Sequence, residues 1–91
     1  MPVILCIINQ FALNQQIYLV DKETKENKLI AEVGSDDVGH TIVTYSHENN
    51  LDEVILTGAN NDYLNKFADD VYTINEMMYQ GQSQLNVFIL E

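Results

Sequence analysis

Leu51-Asp52-Glu53-Val54-Ile55-Leu56-Thr57-Gly58-Ala59-Asn60-Asn61-Asp62, with its continuation to Gly81, decides how this chain folds. Val54-Ile55-Leu56 is a short apolar run and reads as a strand. Thr57–Asn61 is a turn in which Gly58 permits a positive φ and either asparagine can cap the next helix. Leu64, Phe67, Ala68, Val71, Ile74 and Met78 then recur at helical spacing. The helix predicted over Asp62–Gln80 would be roughly 28 Å long at 1.5 Å per residue, and Gly81 is its expected stop. Strand, tight turn and covering helix is the unit that builds a parallel sheet.

Working outward, Val3-Ile4-Leu5-Cys6-Ile7-Ile8 is apolar at every position, the pattern of a central strand buried on both faces. Asn14-Gln15 predicts a turn, Gln16–Asp21 a second strand, and Leu29–Val33 a third. The polar segment Asp21–Lys28 between the last two is a hairpin loop, so the three strands form an antiparallel meander. Ser35 is placed to cap a helix whose first turn carries Asp36 and Asp37. Val38, Ile42 and Tyr45 form its apolar face, and Gly39 within it implies a close helix–strand approach. Gln84–Leu90 is the fifth strand; at a sheet edge it would offer its backbone to a partner. The expected fold is a single α/β domain over residues 1–91, a mixed five-stranded sheet in the order β-β-β-α-β-α-β. Both helices on one face, or one on each, satisfy the pattern equally.

The composition excludes more than it selects. The chain has 91 residues and a formal net charge of −10. Its four cations are Lys22, Lys25, Lys28 and Lys66, with no arginine. Residues 1–28 hold three acids and three lysines, so the whole imbalance falls on residues 29–91, where eleven acids face Lys66 alone. Direct binding of nucleic acid needs clustered Lys or Arg, and anionic membranes are disfavoured for the same reason. A lone Cys6 in an apolar run rules out a disulfide framework and a cysteine zinc site, and reads as a small buried hydrophobe. The N-terminal apolar run lacks a basic flank and a cleavage site, and no stretch approaches the ~20 residues of a membrane helix. A soluble, cytoplasmic protein is expected.

Three meander strands followed by α-β-α-β is the element order of the ribonuclease H-like fold, and the chain resembles that fold in topology over nearly its whole length. The actin-like and sugar-kinase ATPases share the fold. Val54-Ile55-Leu56-Thr57-Gly58-Ala59-Asn60 is similar to the strand and glycine turn those ATPases place near adenosine or phosphates. The resemblance implies, for a nuclease, two metal ions held by carboxylates, the first from the middle of strand one. Val3–Ile8 carries no acid, its nearest polar neighbour is Asn9, and Thr57-Gly58 ends strand four without a carboxylate. Two-metal chemistry is therefore set aside.

Other constellations are weak in chemistry. His40 and His47 stand seven residues apart, roughly 10 Å along a helix, too far to share one zinc. Asp36 and His40, at i and i+4, form an exposed helix pair. Ser46-His47-Glu48 are consecutive and diverge, so they make no triad. No catalytic residue, cofactor or metal is expected. The reading is a small acidic interaction module, self-associating as a homodimer, that presents a helical face to a basic protein partner. Asp62, Asp69, Asp70, Glu76 and Met77 carry that face. Its sharper form is a mimic of nucleic-acid charge, of the kind small phage inhibitors use against DNA- or RNA-binding proteins. Two alternatives stand beside it: a minimal nucleotide- or metal-binding domain using Thr57, Gly58 and Asn60, and a structural component of a virus-like assembly.

Overall fold

A computed structural model describes residues 2–91. The elements are β1 (Pro2–Ile7), β2 (Asn14–Asp21), β3 (Asn27–Gly34), a single 3-10 turn at Ser35–Asp37, α1 (Val38–Glu48), β4 (Glu53–Thr57), α2 (Asn61–Met78) and β5 (Asn86–Leu90). The strands make one sheet in the order β3-β2-β1-β4-β5. β1 pairs antiparallel with β2, and β2 with β3, while β1–β4 and β4–β5 are parallel. The chain is therefore a mixed α/β fold with a five-stranded mixed sheet and two helices.

This strand order settles where the helices lie. β3→α1→β4 crosses β2 and β1 in one direction, and β4→α2→β5 steps onward in the same direction. Crossovers between parallel strands are right-handed almost without exception. Two of the same hand, moving the same way, lie on the same face. α1 and α2 accordingly pack against each other. A Cβ added at Gly39 in α1 would stand 2.9 Å from Ile74 Cδ1 and 3.2 Å from Asp70 Cβ in α2. Gly39 thus serves a helix–helix approach, and not the helix–strand approach its position suggested.

The core lies between the helix pair and one face of the sheet. Ile4, Cys6, Ile17, Val54 and Leu56 come from the strands and Ile8 from the residue just after β1; Val38, Ile42, Val43, Leu64, Phe67, Ala68 and Val71 come from the helices. Burial pushes the Cys6 thiol up to about 12, as expected of a thiolate that would have to form in an apolar interior.

β1 is central, as its apolar run predicts, yet it is covered on one face only. Its odd positions alternate toward the side without helices, where Val3 is buried, Leu5 is half-buried and Ile7 is 37% exposed. Apolarity at every position reads as two-sided burial only when something packs on both sides, and both helices lie on the same one.

Four local expectations shift. Asn14 and Gln15 belong to β2, and the turn lies before them. Gln15, 1% exposed, accepts from the Asn9 amide (2.6 Å) and donates to the Asn9 carbonyl (3.0 Å) and the Ser35 hydroxyl (3.3 Å). A buried amide side chain in this role satisfies loop backbone that would otherwise be unpaired. Ser35 therefore makes no side-chain cap, and α1 begins from Asp37. Met78 is 44% exposed; Asn75, on the α1 side of the stripe, is the buried residue of that turn. α2 closes at Met78, with Gly81 at φ +81° two residues past the Tyr79 C-cap.

At the other end of the meander, the Asp21 carboxylate accepts from the Thr24 and Glu23 amides, which lowers its pKa. These bonds hold the tip of the β2–β3 hairpin, where Lys25 adopts φ +66°.

Candidate functional site

The Thr57–Asn61 turn is built by internal contacts. Gly58 adopts φ +101°, and a Cβ there would lie 2.5 Å from the Ile8 carbonyl oxygen. The Asn60 side chain accepts from the Tyr63 amide (2.9 Å), an N-cap of the usual kind. The Asn61 amide donates to the Glu91 carboxylate (3.0 Å), so a second free donor at the head of α2 already faces an anion from the end of β5. Thr57 is half-buried at the end of β4, and its carbonyl accepts from the Ile8 amide (2.8 Å). Thr57, Gly58 and Asn60 are thus brought together, with the Thr57 carbonyl and the Asn60 side chain and carbonyl committed to shaping the turn. Asn60→Ala is expected to lower stability by about 1 kcal/mol, the usual loss of a side-chain cap; urea unfolding monitored by far-UV circular dichroism measures it.

The acids of α2 share its solvent side. Asp62, Asp69 and Glu76 recur every seven residues, about 10.5 Å apart along the axis, and all are exposed. Asp70 is exposed and borders α1 at Gly39. Asp36 and Asp37 extend the acidic surface at the start of α1. Against these, Lys66 is the cation of the layer; its ammonium stands 5.9 Å from the Tyr63 ring centroid. Met77 is 77% exposed and joins Tyr72, Thr73, Glu76, Gln80 and Gln84 in a shallow groove of about 610 Å³. Among the described residues, no three acids, histidines or cysteines converge as a metal site would require.

A second depression, of about 730 Å³, opens where the end of α1 meets the segment after α2. His47 lines it, stacked on Tyr79 with ring centroids 3.7 Å apart and planes 9° from parallel. The imidazole Nε2 donates to the Asn75 Oδ1 at 2.6 Å. Asn75 is 2% exposed, so this bond satisfies the buried amide oxygen. Ser46 also borders the depression, but its buried hydroxyl has no partner among the described residues. Successive helical residues project about 100° apart, so Ser46 and His47 form no nucleophile–base pair. Single residues in the sequence carry no sign of the His47–Asn75–Tyr79 group, because it joins two helices 28 positions apart.

The largest feature that the sequence did not reveal is the uncovered face of the sheet. Leu29, Tyr18, Leu5, Ile55 and Phe88 stand in register, one from each strand, in a row across its full width. Leu29 is 48% and Phe88 50% exposed. Val54-Ile55-Leu56 and Val87-Phe88-Ile89-Leu90 are unbroken apolar runs, so which parity faces solvent depends on the side the helices take.

Comparison of the chain with protein-family models, with curated proteins and with solved structures finds no significant match. No helix among the described residues is long and apolar enough to cross a membrane.

Proposed function

We propose that this chain is a small non-catalytic interaction module that docks its acidic helix layer onto a basic protein partner. The observation that carries this reading is the segregation of charge. Asp62, Asp69 and Glu76 line the outer side of α2, and Asp36, Asp37 and Asp70 broaden the same layer, with Lys66 as its cation. Such a surface raises the local potential for a cationic partner and speeds its approach. The groove at Met77 and Tyr72 adds an adaptable apolar contact beside Glu76. A spaced line of carboxylates on a rigid helix supports the narrower reading of a nucleic-acid mimic that occupies a basic groove. The strand order β3-β2-β1-β4-β5, with β2 opposed to the other four, supports a ribonuclease H-like assignment in which the scaffold has no acid on its first strand.

The test uses the immobilised chain to capture partners at low salt and elutes them with a salt gradient. Elution by moderate salt is expected, since exposed charges screen over about 8–10 Å at physiological ionic strength. Asp69→Lys with Glu76→Lys should weaken capture about tenfold or more. A partner held equally at low and high salt, or equally by the charge-reversed chain, would refute the acidic-face reading.

A further inference from the structure

The loop between β1 and β2, residues 9–13, presents apolar side chains to water from a fixed backbone. Phe11 is 89% and Leu13 92% exposed, the two most exposed large apolar side chains among the described residues. The backbone beneath them is held at several points. The Asn9 Oδ1 accepts from the Phe11 amide (2.9 Å), and the Asn9 carbonyl accepts from the Ala12 amide (3.1 Å). The buried Gln15 side chain, bonded to the Asn9 amide and carbonyl, also donates to the Ala12 carbonyl (3.4 Å). Single exposed apolar residues are ordinary. Two within three positions, almost free of the fold and on a loop clamped from below, have the form of an interface anchor whose backbone is ordered before binding.

The loop stands at one end of the sheet, and the charge around it is of one sign. Asn14 pairs with Gly34 at the end of β3, so Leu13 lies beside the turn that carries Asp36 and Asp37, both exposed. On the other flank Ile8 abuts Gly58, and the chain from there leads to Asp62 in the first turn of α2. Glu91, after β5, faces the Asn61 amide at the same end. Leu90 (56% exposed) and Ile7 (37%) add apolar surface there. Lys22, Lys25 and Lys28 belong to the β2–β3 hairpin at the opposite end, roughly 20–25 Å away along β2. Of the four lysines only Lys66, four residues beyond Asp62, stands nearer.

We propose that this loop is the apolar anchor of the interface with a basic protein. Phe11 and Leu13 seat in an apolar pocket of the partner, and Asp36, Asp37 and Asp62 meet cations on its rim. The proposal rests on the acidic-surface reading above and names the part of this chain that enters the partner. Charge chooses among the occupants. A second copy brings the same acids against themselves, and an anionic membrane meets them with like charge. A protein with a cationic rim around an apolar pocket matches both parts of the surface.

The salt-eluted protein, purified, is the probe, and isothermal titration calorimetry at low salt gives its affinity for each variant. Phe11→Ser with Leu13→Ser should weaken binding about thirtyfold or more. The thermal melt of that variant should match the unaltered chain, since both side chains are almost wholly in water. Asp36→Lys with Asp37→Lys should weaken binding about tenfold. Leu29→Ser, nearer the hairpin end of the sheet, should leave it unchanged. Phosphatidylcholine vesicles should not bind the chain. Loop variants that bind as tightly as the unaltered chain, beside an Asp69→Lys and Glu76→Lys chain that does not, overturn the anchor and leave the acidic surface standing. If neither set of substitutions weakens binding, or if no protein is captured, both fall. Vesicle binding that the loop substitutions abolish makes the loop a membrane anchor and overturns the proposal.

Discussion

Gly58→Ala is expected to destabilise the fold by about 3 kcal/mol or more, the largest loss from any single added methyl group. Two effects combine. At φ +101° an L-residue is strained by its own backbone, and the added Cβ would sit 2.5 Å from the Ile8 carbonyl oxygen and 3.1 Å from its nitrogen. Ile8 cannot easily retreat, since its side chain is fully buried and its amide donates to Thr57. Relief of the clash would break that bond at the end of the β1–β4 ladder. Urea unfolding should show a lower midpoint with an unchanged slope. A loss below about 1 kcal/mol would mean that the turn relaxes freely and that its glycine serves something other than close packing.

Leu56→Ala should cost about 2–5 kcal/mol, the range for a buried leucine whose removal leaves a cavity. Leu56 is fully buried, in register between Cys6 of β1 and Ile89 of β5, on the face that the helices cover. For a domain of this size, each lost kcal/mol lowers the melting temperature by roughly 4–8 °C. Its neighbour Ile55 points the opposite way, into the bare face, where it is half-buried. Ile55→Ala should therefore cost well under the Leu56 value, since an open surface leaves no enclosed void. Scanning calorimetry of the two variants side by side reads the polarity of the sheet directly. Equal losses would mean that the Ile55 face is covered in solution as thoroughly as the core, and the comparison at low protein concentration assigns that cover to dissociable association or to the monomer itself.

The elements were legible because their signals are local. Helical spacing from Leu64 through Ile74 and the apolar run Val3–Ile8 identify themselves within a few residues, and β1 at the centre of the sheet follows from the second. Errors arose where a residue's role depends on a distant partner. Asn14-Gln15 has turn chemistry, yet Gln15 is buried because the Asn9 backbone and Ser35 surround its amide. Gly39 answers to Asp70 and Ile74, 31 and 35 residues further along the chain. The acidic line Asp62–Asp69–Glu76 was readable, since seven-residue spacing returns to the same side of a helix. The apolar row across the sheet was not, because it takes one residue from each of five strands.

The sequence by itself determines the β-β-β-α-β-α-β order, the acidic outer side of α2 and the tight turn before it, all properties of neighbours along the chain. Only the tertiary structure decided that both helices share one face and that Leu29, Tyr18, Leu5, Ile55 and Phe88 are left open on the other. The physical reason is the direction of the crossovers. β4 adds beside β1 and β5 beside β4, so two right-handed connections advance the same way and stack their helices together. That choice lies in pairings between strands far apart in sequence, and no local pattern encodes it.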